Sequence, residues 1–180
     1  SVNQVGISFG VIKLRLEDGS EFDFTLPRRD NKTGKGHKGF IVEVDHTMTI
    51  KEAAARRDYT INAISRDCRD GSLVDPYNGI QDLESRRLRH ISDQFAEDPL
   101  RVLRGMQFCG RFGMDVDPET ARLCASLSEE MSELALERVW AEWFKWAAKS
   151  EYPSRGLDFL VQTGWIVHFP ELDALRGVPQ

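Results

Sequence analysis

The hydrophobic pattern of this chain changes near residue 92, and the change limits the folds open to it. Before that point apolar residues alternate with polar ones in short runs; after it they recur at helical spacing. Phe9-Gly10-Val11-Ile12-Lys13-Leu14-Arg15-Leu16 ends in period-two alternation, Glu17-Asp18-Gly19-Ser20 is a turn, and Phe22-Asp23-Phe24-Thr25-Leu26 alternates again. Asp23 therefore faces away from Phe22 and Phe24. Residues 40–44 and 88–91 predict further strands, and residues 72–74 one arm of a hairpin. Residues 49–64 predict a helix opened by a capping box between Thr49 and Glu52, and residues 81–86 a short one. From residue 93 only helices are expected: 95–112, 118–127 capped by Asp117, 136–149, and 154–163 stopped by Gly164. The prediction is an α+β fold, with a small mixed sheet and helices over residues 1–91 and an all-helical domain over residues 92–180.

Composition narrows the function. With 41% hydrophobic and 29% charged residues the chain is ordinary for a soluble globular protein. No apolar run reaches the roughly 18 residues of a membrane span, and no secretory leader is visible at Ser1-Val2-Asn3-Gln4. Cys68, Cys109 and Cys124 lack metal-ligand spacing, as do the four scattered histidines. This usage points to a reducing, cytoplasmic setting. The net charge of −5 excludes a protein that coats nucleic acid through overall charge, so any contact must be a local patch. Residues 28–38 (RRDNKTGKGHK) are such a patch, read as a glycine-rich loop from Arg29 to Gly39.

Four constellations carry chemistry. In Glu97-Asp98-Pro99-Leu100-Arg101-Val102-Leu103-Arg104, Pro99 predicts a helix start, and helical spacing then puts Glu97, Asp98, Arg101 and Arg104 near one face. An acceptor-only carboxylate beside a donor-only guanidinium matches the amino-donor and ring-nitrogen-acceptor edge of cytosine and adenine, and mismatches guanine and uracil. Spacing alone equally describes a salt-bridged helix surface. In Arg57-Asp58-Tyr59-Thr60-Ile61-Asn62, Asp58 and Asn62 at i, i+4 can hold ribose hydroxyls, with Arg57 clamping a phosphate; the alternative is a charge cluster serving the backbone. Asp23 on its strand is either a ligand for a divalent metal or an exposed strand residue. Lys32, Lys35 and Lys38 in the basic loop are either phosphate contacts or a solvated charged face.

The order of these segments is more specific than any one of them. RRDYTINAI, LVDPYNGIQDLESRRLRHI and FAEDPLRVLRGMQFCGRFGMDVDPET, with VGISFGVIKLRL upstream and LERVWAEWFKWAA and FPELDALRGVPQ downstream, closely resemble the class II tRNA nucleotidyltransferase and bacterial poly(A) polymerase family over essentially the whole chain. The resemblance implies a polymerase-β-like head followed by a helical neck, acting on CTP, ATP and the tRNA 3′ end. It maps ribose and phosphate contacts to Arg57, Asp58 and Asn62. It maps the amino-acid template to Asp98 and Arg101, with Glu97 orienting Arg101 and Arg104 nearby. It places Arg28 near the triphosphate, Asp23 as the third carboxylate of a Mg2+ site, and residues 29–39 as a flexible head loop implicated in switching from C to A addition, within which Lys32, Lys35 and Lys38 are the candidate RNA contacts. Leu136-Glu137-Arg138-Val139 followed by Glu142 resembles the neck motif supporting the template helix.

One departure bears on activity. The family opens on a Gly-Ser motif followed by an Asp-x-Asp strand, which bind triphosphate and metals, and this chain begins beyond them. Asp23 alone cannot hold two metals, so the chain by itself is expected to be inactive, with a complementing N-terminal fragment or a homodimer as candidate partners. Poly(A) polymerases of the family carry a Gly-Arg-Arg-Phe-like stretch; Gly6-Ile7-Ser8-Phe9-Gly10 lacks the arginines, which favours addition of CCA, or of CC or A, to tRNA. A poly(A) polymerase fragment and a non-catalytic nucleotide- or RNA-binding module are the competing readings.

Overall fold

The structure is a computed structural model that describes residues 2–3, 11–32 and 40–174. The chain forms two compact units, residues 1–53 and 54–180.

The first unit is strand-rich. Strands β1 (Val2–Asn3), β2 (Val11–Arg15) and β3 (Glu21–Thr25) form an antiparallel sheet in the order β1-β2-β3. Gly19 closes the β2–β3 turn at φ 86°, a left-handed value that glycine adopts without a Cβ penalty. The register pairs Ile12 with Phe24 and Leu14 with Phe22, and on the other face Lys13 with Asp23 and Arg15 with Glu21. The hairpin is thus apolar on one side and ionic on the other. Among the described residues its apolar side is uncovered, with Ile12, Phe22 and Phe24 each about half exposed. A second hairpin joins β4 (Arg28–Lys32) to β5 (Phe40–Val44). Residues 29–32, expected in a loop, are therefore strand: five paired positions outweigh the weak strand preference of Arg, Asp, Asn and Lys. Lys35 and Lys38 lie outside the described residues.

Helix α1 (Ile50–Ala55) opens with the expected capping box, in which Thr49 N–H donates to Glu52 Oε2 at 2.8 Å and Glu52 N–H donates to Thr49 Oγ1 at 3.2 Å. The helix ends at Ala55 rather than running to residue 64. The next segment is claimed by tertiary contacts: Thr60 N–H donates to Arg89 C=O at 3.0 Å, Ile91 N–H to Asp58 C=O at 3.3 Å, and Tyr59 bridges to His90. Residues 60–63 then form one 3₁₀ turn, β6 (Ser65–Arg66) and β7 (Leu73–Val74) a short hairpin, and α2 (Gly79–Glu84) follows. Asp82 anchors this region by accepting from Thr60 Oγ1 at 2.7 Å.

The second unit is organised around α3 (Leu100–Phe112). Its buried residues Val102, Leu103, Met106, Phe108 and Cys109 meet Tyr59, Phe95, Phe159 and Leu160. Each fully buried large apolar side chain contributes about 1.5–3 kcal/mol. Helices α4 (Pro118–Ser126), α5 (Leu136–Lys149), α6 (Pro153–Gln162) and α7 (Pro170–Asp173) complete it. Asp117 caps α4 as expected, accepting from Glu119 N–H at 3.0 Å, and Gly164 at φ 74° follows the end of α6. The region is not purely helical, because β8 (Arg87–Leu88) and β9 (Asp115–Val116) pair in parallel. Glycines allow close contacts along α3: a Cβ on Gly105 would stand 2.2 Å from Tyr59 Oη, and one on Gly110 2.5 Å from Ser150 Oγ and 2.8 Å from Trp146. The tryptophans divide. Trp165 is fully buried, Trp143 and Trp146 pack against the core, and Trp140 lies exposed with Leu136 and Phe144 along one stripe of α5.

Candidate nucleotide-reading site

The start of α3 differs from a simple helix face. A 3₁₀ turn spans Asp93–Glu97, and Asp98 is extended at φ −137°. A residue before proline is pushed out of the α region by the proline ring, so Asp98 cannot join the helix that Pro99 begins. Glu97 and Asp98 therefore precede α3, while Arg101 and Arg104 lie on it. Asp98 still sits over the helix start, where its Oδ1 accepts from Leu100 N–H at 3.2 Å. Its Oδ2 accepts from Arg138 Nη2 at 2.7 Å, which ties it to α5.

The Arg101 side chain donates Nη1–H to Gln94 C=O at 2.7 Å and Nη2–H to Arg56 C=O at 2.6 Å. Two backbone carbonyls thus orient the guanidinium, a role expected of Glu97. Burial lowers the Arg101 pKa and outweighs the opposing carboxylates of Asp58, Asp98 and Glu97. Two of the five guanidinium N–H donors are used this way, leaving three for a ligand. Arg104 Nε donates to Asp58 Oδ2 at 2.7 Å, and its guanidinium lies 5.4 Å from the Phe108 ring centre. Burial pulls the Arg104 pKa down, but Asp58's charge and hydrogen bond, then Glu142 and Tyr59, together raise it.

Beneath α3, buried Asp58 accepts from Tyr59 N–H at 2.8 Å and from Asn62 Nδ2 at 2.9 Å. Asp58 and Asn62 therefore meet as expected, through a bend and a 3₁₀ turn rather than one α-helix. Arg57 is exposed and donates to Asn62 C=O at 2.6 Å. Sequence spacing gave no sign of Tyr59, whose buried hydroxyl donates to Arg101 C=O at 2.9 Å and joins the two segments. Nor did it show the carbonyls of Arg56 and Gln94, since backbone acceptors leave no residue signature. Glu142 is buried on α5 with Oε1 accepting from Lys145 at 2.7 Å and Oε2 without a partner.

Asp23 belongs to the first unit. It is exposed and 3.7 Å from Lys13 Nζ. No group of three candidate ligands for a metal occurs among the described residues, and one exposed carboxylate paired with a lysine does not fit a magnesium site. The Asp115-Val116-Asp117 run is no substitute. Asp115 pairs with Arg155 at 2.5 Å, while Asp117 caps α4 and pairs with Arg89 at 3.2 Å. Arg28 and Lys32 lie on β4. No helix among the described residues is long and apolar enough to cross a membrane.

Residues 1–89 match the poly A polymerase head domain family, and residues 113–176 match the probable RNA and SrmB-binding site of polymerase A. The multifunctional CCA protein of Xanthomonas campestris pv. campestris (strain B100) is 43% identical over 182 residues, covering 98% of this chain and 43% of the relative. That of Aliivibrio salmonicida (strain LFI1238) is 44% identical, covering 98% and 44%. The chain thus spans less than half the length of these curated relatives. A CCA-adding enzyme solved in complex with ATP superposes with a TM-score of 0.74 at 26% identity, over 95% of this chain and 38% of that one. The Bacillus stearothermophilus CCA-adding enzyme solved with CTP shares the fold, with a TM-score of 0.76 at 24% identity over 92% and 39%. Motif order, the α+β fold and these matches agree: the chain belongs to the class II CCA-adding nucleotidyltransferase and poly(A) polymerase family.

Proposed function

We propose that this chain supplies the nucleotide-selecting part of a tRNA nucleotidyltransferase, reading CTP and ATP for addition to a tRNA 3′ end. In this reading residues 1–91 belong to the head and residues 92–180 to the neck. The observation that supports it is that Asp98, Arg101 and Arg104, close in sequence at the start of α3, are each held by a hydrogen bond with a residue elsewhere in the unit: Asp98 by Arg138, Arg101 C=O by Tyr59, and Arg104 by Asp58. A carboxylate acceptor beside oriented guanidinium donors fits the cytosine and adenine edge. Their attachment to backbone carbonyls and to α5 restricts their motion, so little ordering is left for the ligand to bring about. Asp58 and Asn62 take the ribose, and Arg57 and Arg28 the phosphates. Lys32, Lys35 and Lys38 contact RNA. No step is assigned to a metal, because Asp23 alone does not make its site.

Titration calorimetry with the four ribonucleoside triphosphates tests this. CTP and ATP are expected to bind at least tenfold more tightly than GTP and UTP, and Arg101→Ala to abolish the difference. Equal affinity for all four would refute the reading.

A further inference from the structure

At the far end of α3 the helical unit holds an open cavity of about 410 Å3, lined by Arg86, Arg111, Phe112, Lys149, Glu151 and Tyr152. Arg111 lies about 16 Å along the helix from Leu100, at 1.5 Å per residue. The cavity is therefore separate from the nucleotide-reading residues. Three cations face one carboxylate across it. Among the described residues none of the three pairs with a carboxylate; Arg111 Nη1 donates to Gln107 Oε1 at 3.0 Å. Phe112 and Tyr152 are about 40% exposed, large for aromatic rings that border a packed core. Arg111 lies 4.9 Å from the Phe112 ring centre and Arg86 5.7 Å from that of Tyr152.

The backbone around the cavity is specialised. Arg86 follows the C-cap of α2 at φ 52°, a left-handed position usually given to glycine or asparagine because other side chains are strained there. Helix termination alone does not call for an arginine. The opposing Gly113 is also left-handed, at φ 62°, and a Cβ there would stand 3.0 Å from both Arg86 Nη1 and Tyr152 Cδ2. Tyr152 N–H donates to Gly110 C=O at 2.8 Å, which fixes the ring's attachment to α3. Arg111 and Lys149 close the last turns of α3 and α5, where a cation also offsets the helix dipole. That role does not account for Arg86 or for the exposed rings.

We infer that this cavity binds a phosphodiester and an adjacent stacked base of an unpaired RNA strand. Arginine and lysine supply the phosphate contacts, and Tyr152 and Phe112 the stacking faces. Such stacking tolerates any base, because every base has a π-face. The cavity lacks the half-buried, hydrogen-bonded carboxylate and guanidinium found at the start of α3, so it holds the strand rather than selecting a nucleotide. The inference deepens the proposed function and rests on it for the identity of the strand as RNA.

The test is fluorescence anisotropy of the 180-residue chain with a labelled 12-nucleotide single-stranded RNA at several salt concentrations, with CTP calorimetry in parallel. Arg86→Gly removes the cation and relieves the left-handed strain, so its melting temperature should equal or exceed the parent's while RNA binding weakens. With Arg111→Gln and Lys149→Gln added, the loss should reach at least about 30-fold, and the slope of log K against log salt should fall by about 0.7 per cation removed. Tyr152→Leu should weaken binding about tenfold with the slope unchanged. CTP affinity should stay constant throughout. RNA binding absent from the parent chain, or within twofold of parent in the triple variant, would overturn the inference. Displacement of the RNA by ATP at an affinity lost in the same variants would overturn it in favour of a mononucleotide site. Loss of CTP and ATP preference with the RNA results intact would count against the proposed function and leave this site standing.

Discussion

Gly105→Ala joins the packing of α3 to the readout at its start. A Cβ at Gly105 would lie 2.2 Å from Tyr59 Oη and 2.5 Å from Phe159 Cζ, and both rings are essentially inaccessible to solvent. Neither can swing aside freely, so the added methyl must displace both, each by about 1 Å. Overpacking of this kind costs about 1–3 kcal/mol, and two aromatic obstacles put it at the upper end. Alanine returns about 1 kcal/mol of helix propensity. The expected net destabilisation is about 2 kcal/mol. For a helical unit of roughly 120 residues, unfolding entropy near 2 cal/mol/K per residue converts this to a fall of about 8 °C. CTP affinity should drop as well, because the displaced hydroxyl is the one that holds Arg101 C=O. Thermal melts and calorimetry check both effects. The cycle with Tyr59→Phe is the sharper assay. That substitution forfeits one hydrogen bond, about 1 kcal/mol, but removes the nearest clash, so the double variant should be more stable than additivity predicts by about 1 kcal/mol. An unchanged melting temperature for Gly105→Ala, or an additive cycle, would refute the reasoning.

Asp58→Asn should cost about 2 kcal/mol in urea unfolding, less than the 3–5 kcal/mol of a fully buried pair because the Arg104 side chain is 34% exposed; a loss below 0.5 kcal/mol would show that the pair adds little. Burial lowers the His90 pKa despite the opposing charges of Asp117, Asp93 and Glu119. The neutral ring is favoured in the fold, so this contribution is complete above the unfolded pKa near 6.5 and is lost as pH falls below it. Melts from pH 7 to 5 should show a decline that His90→Gln flattens. Burial pushes the Cys109 thiol up and the Cys124 thiol up to about 12, while Cys68 is exposed. At pH 8 a thiol reagent should modify Cys68 alone until urea is added, and stability should fall as pH rises from about 9 towards 12, where the unfolded thiols ionise first. Reaction of all three cysteines in the native protein would contradict this packing.

Local chemistry made much of the fold legible. The Thr49–Glu52 capping box, Asp117 before Pro118, the 136–149 helix and Gly164 are signals confined to one turn, and each element appears where its signal lies. The break after Ala55 was not legible, because the hydrogen bonds that draw residues 58–60 out of helix come from residues 89 and 91. The strand at 28–32 was hidden for a related reason: its pairing with 40–44 overrides a composition poor in strand formers. At the site, the residue types were legible and part of the geometry was not. The steric rule before proline was available at Asp98, yet the i, i+3 spacing to Arg101 concealed it. Arg101's carbonyl partners and Tyr59's hydroxyl depend on side chains or backbone 42 or more residues away, except Gln94, and follow only from the folded core.

Helix α3 runs without interruption from the residues proposed to read a nucleotide to those that border the basic aromatic cavity. Its glycine contacts with Tyr59, Phe159 and Trp146 fix it along the middle. Inserting or deleting a single residue there would turn one end about 100° relative to the other and shift it by about 1.5 Å. Arg101 and Arg111 would then no longer face their present partners together. Point substitutions on the exposed side of this segment are compatible with both ends, whereas a change in its length preserves the facing only in steps close to a full turn.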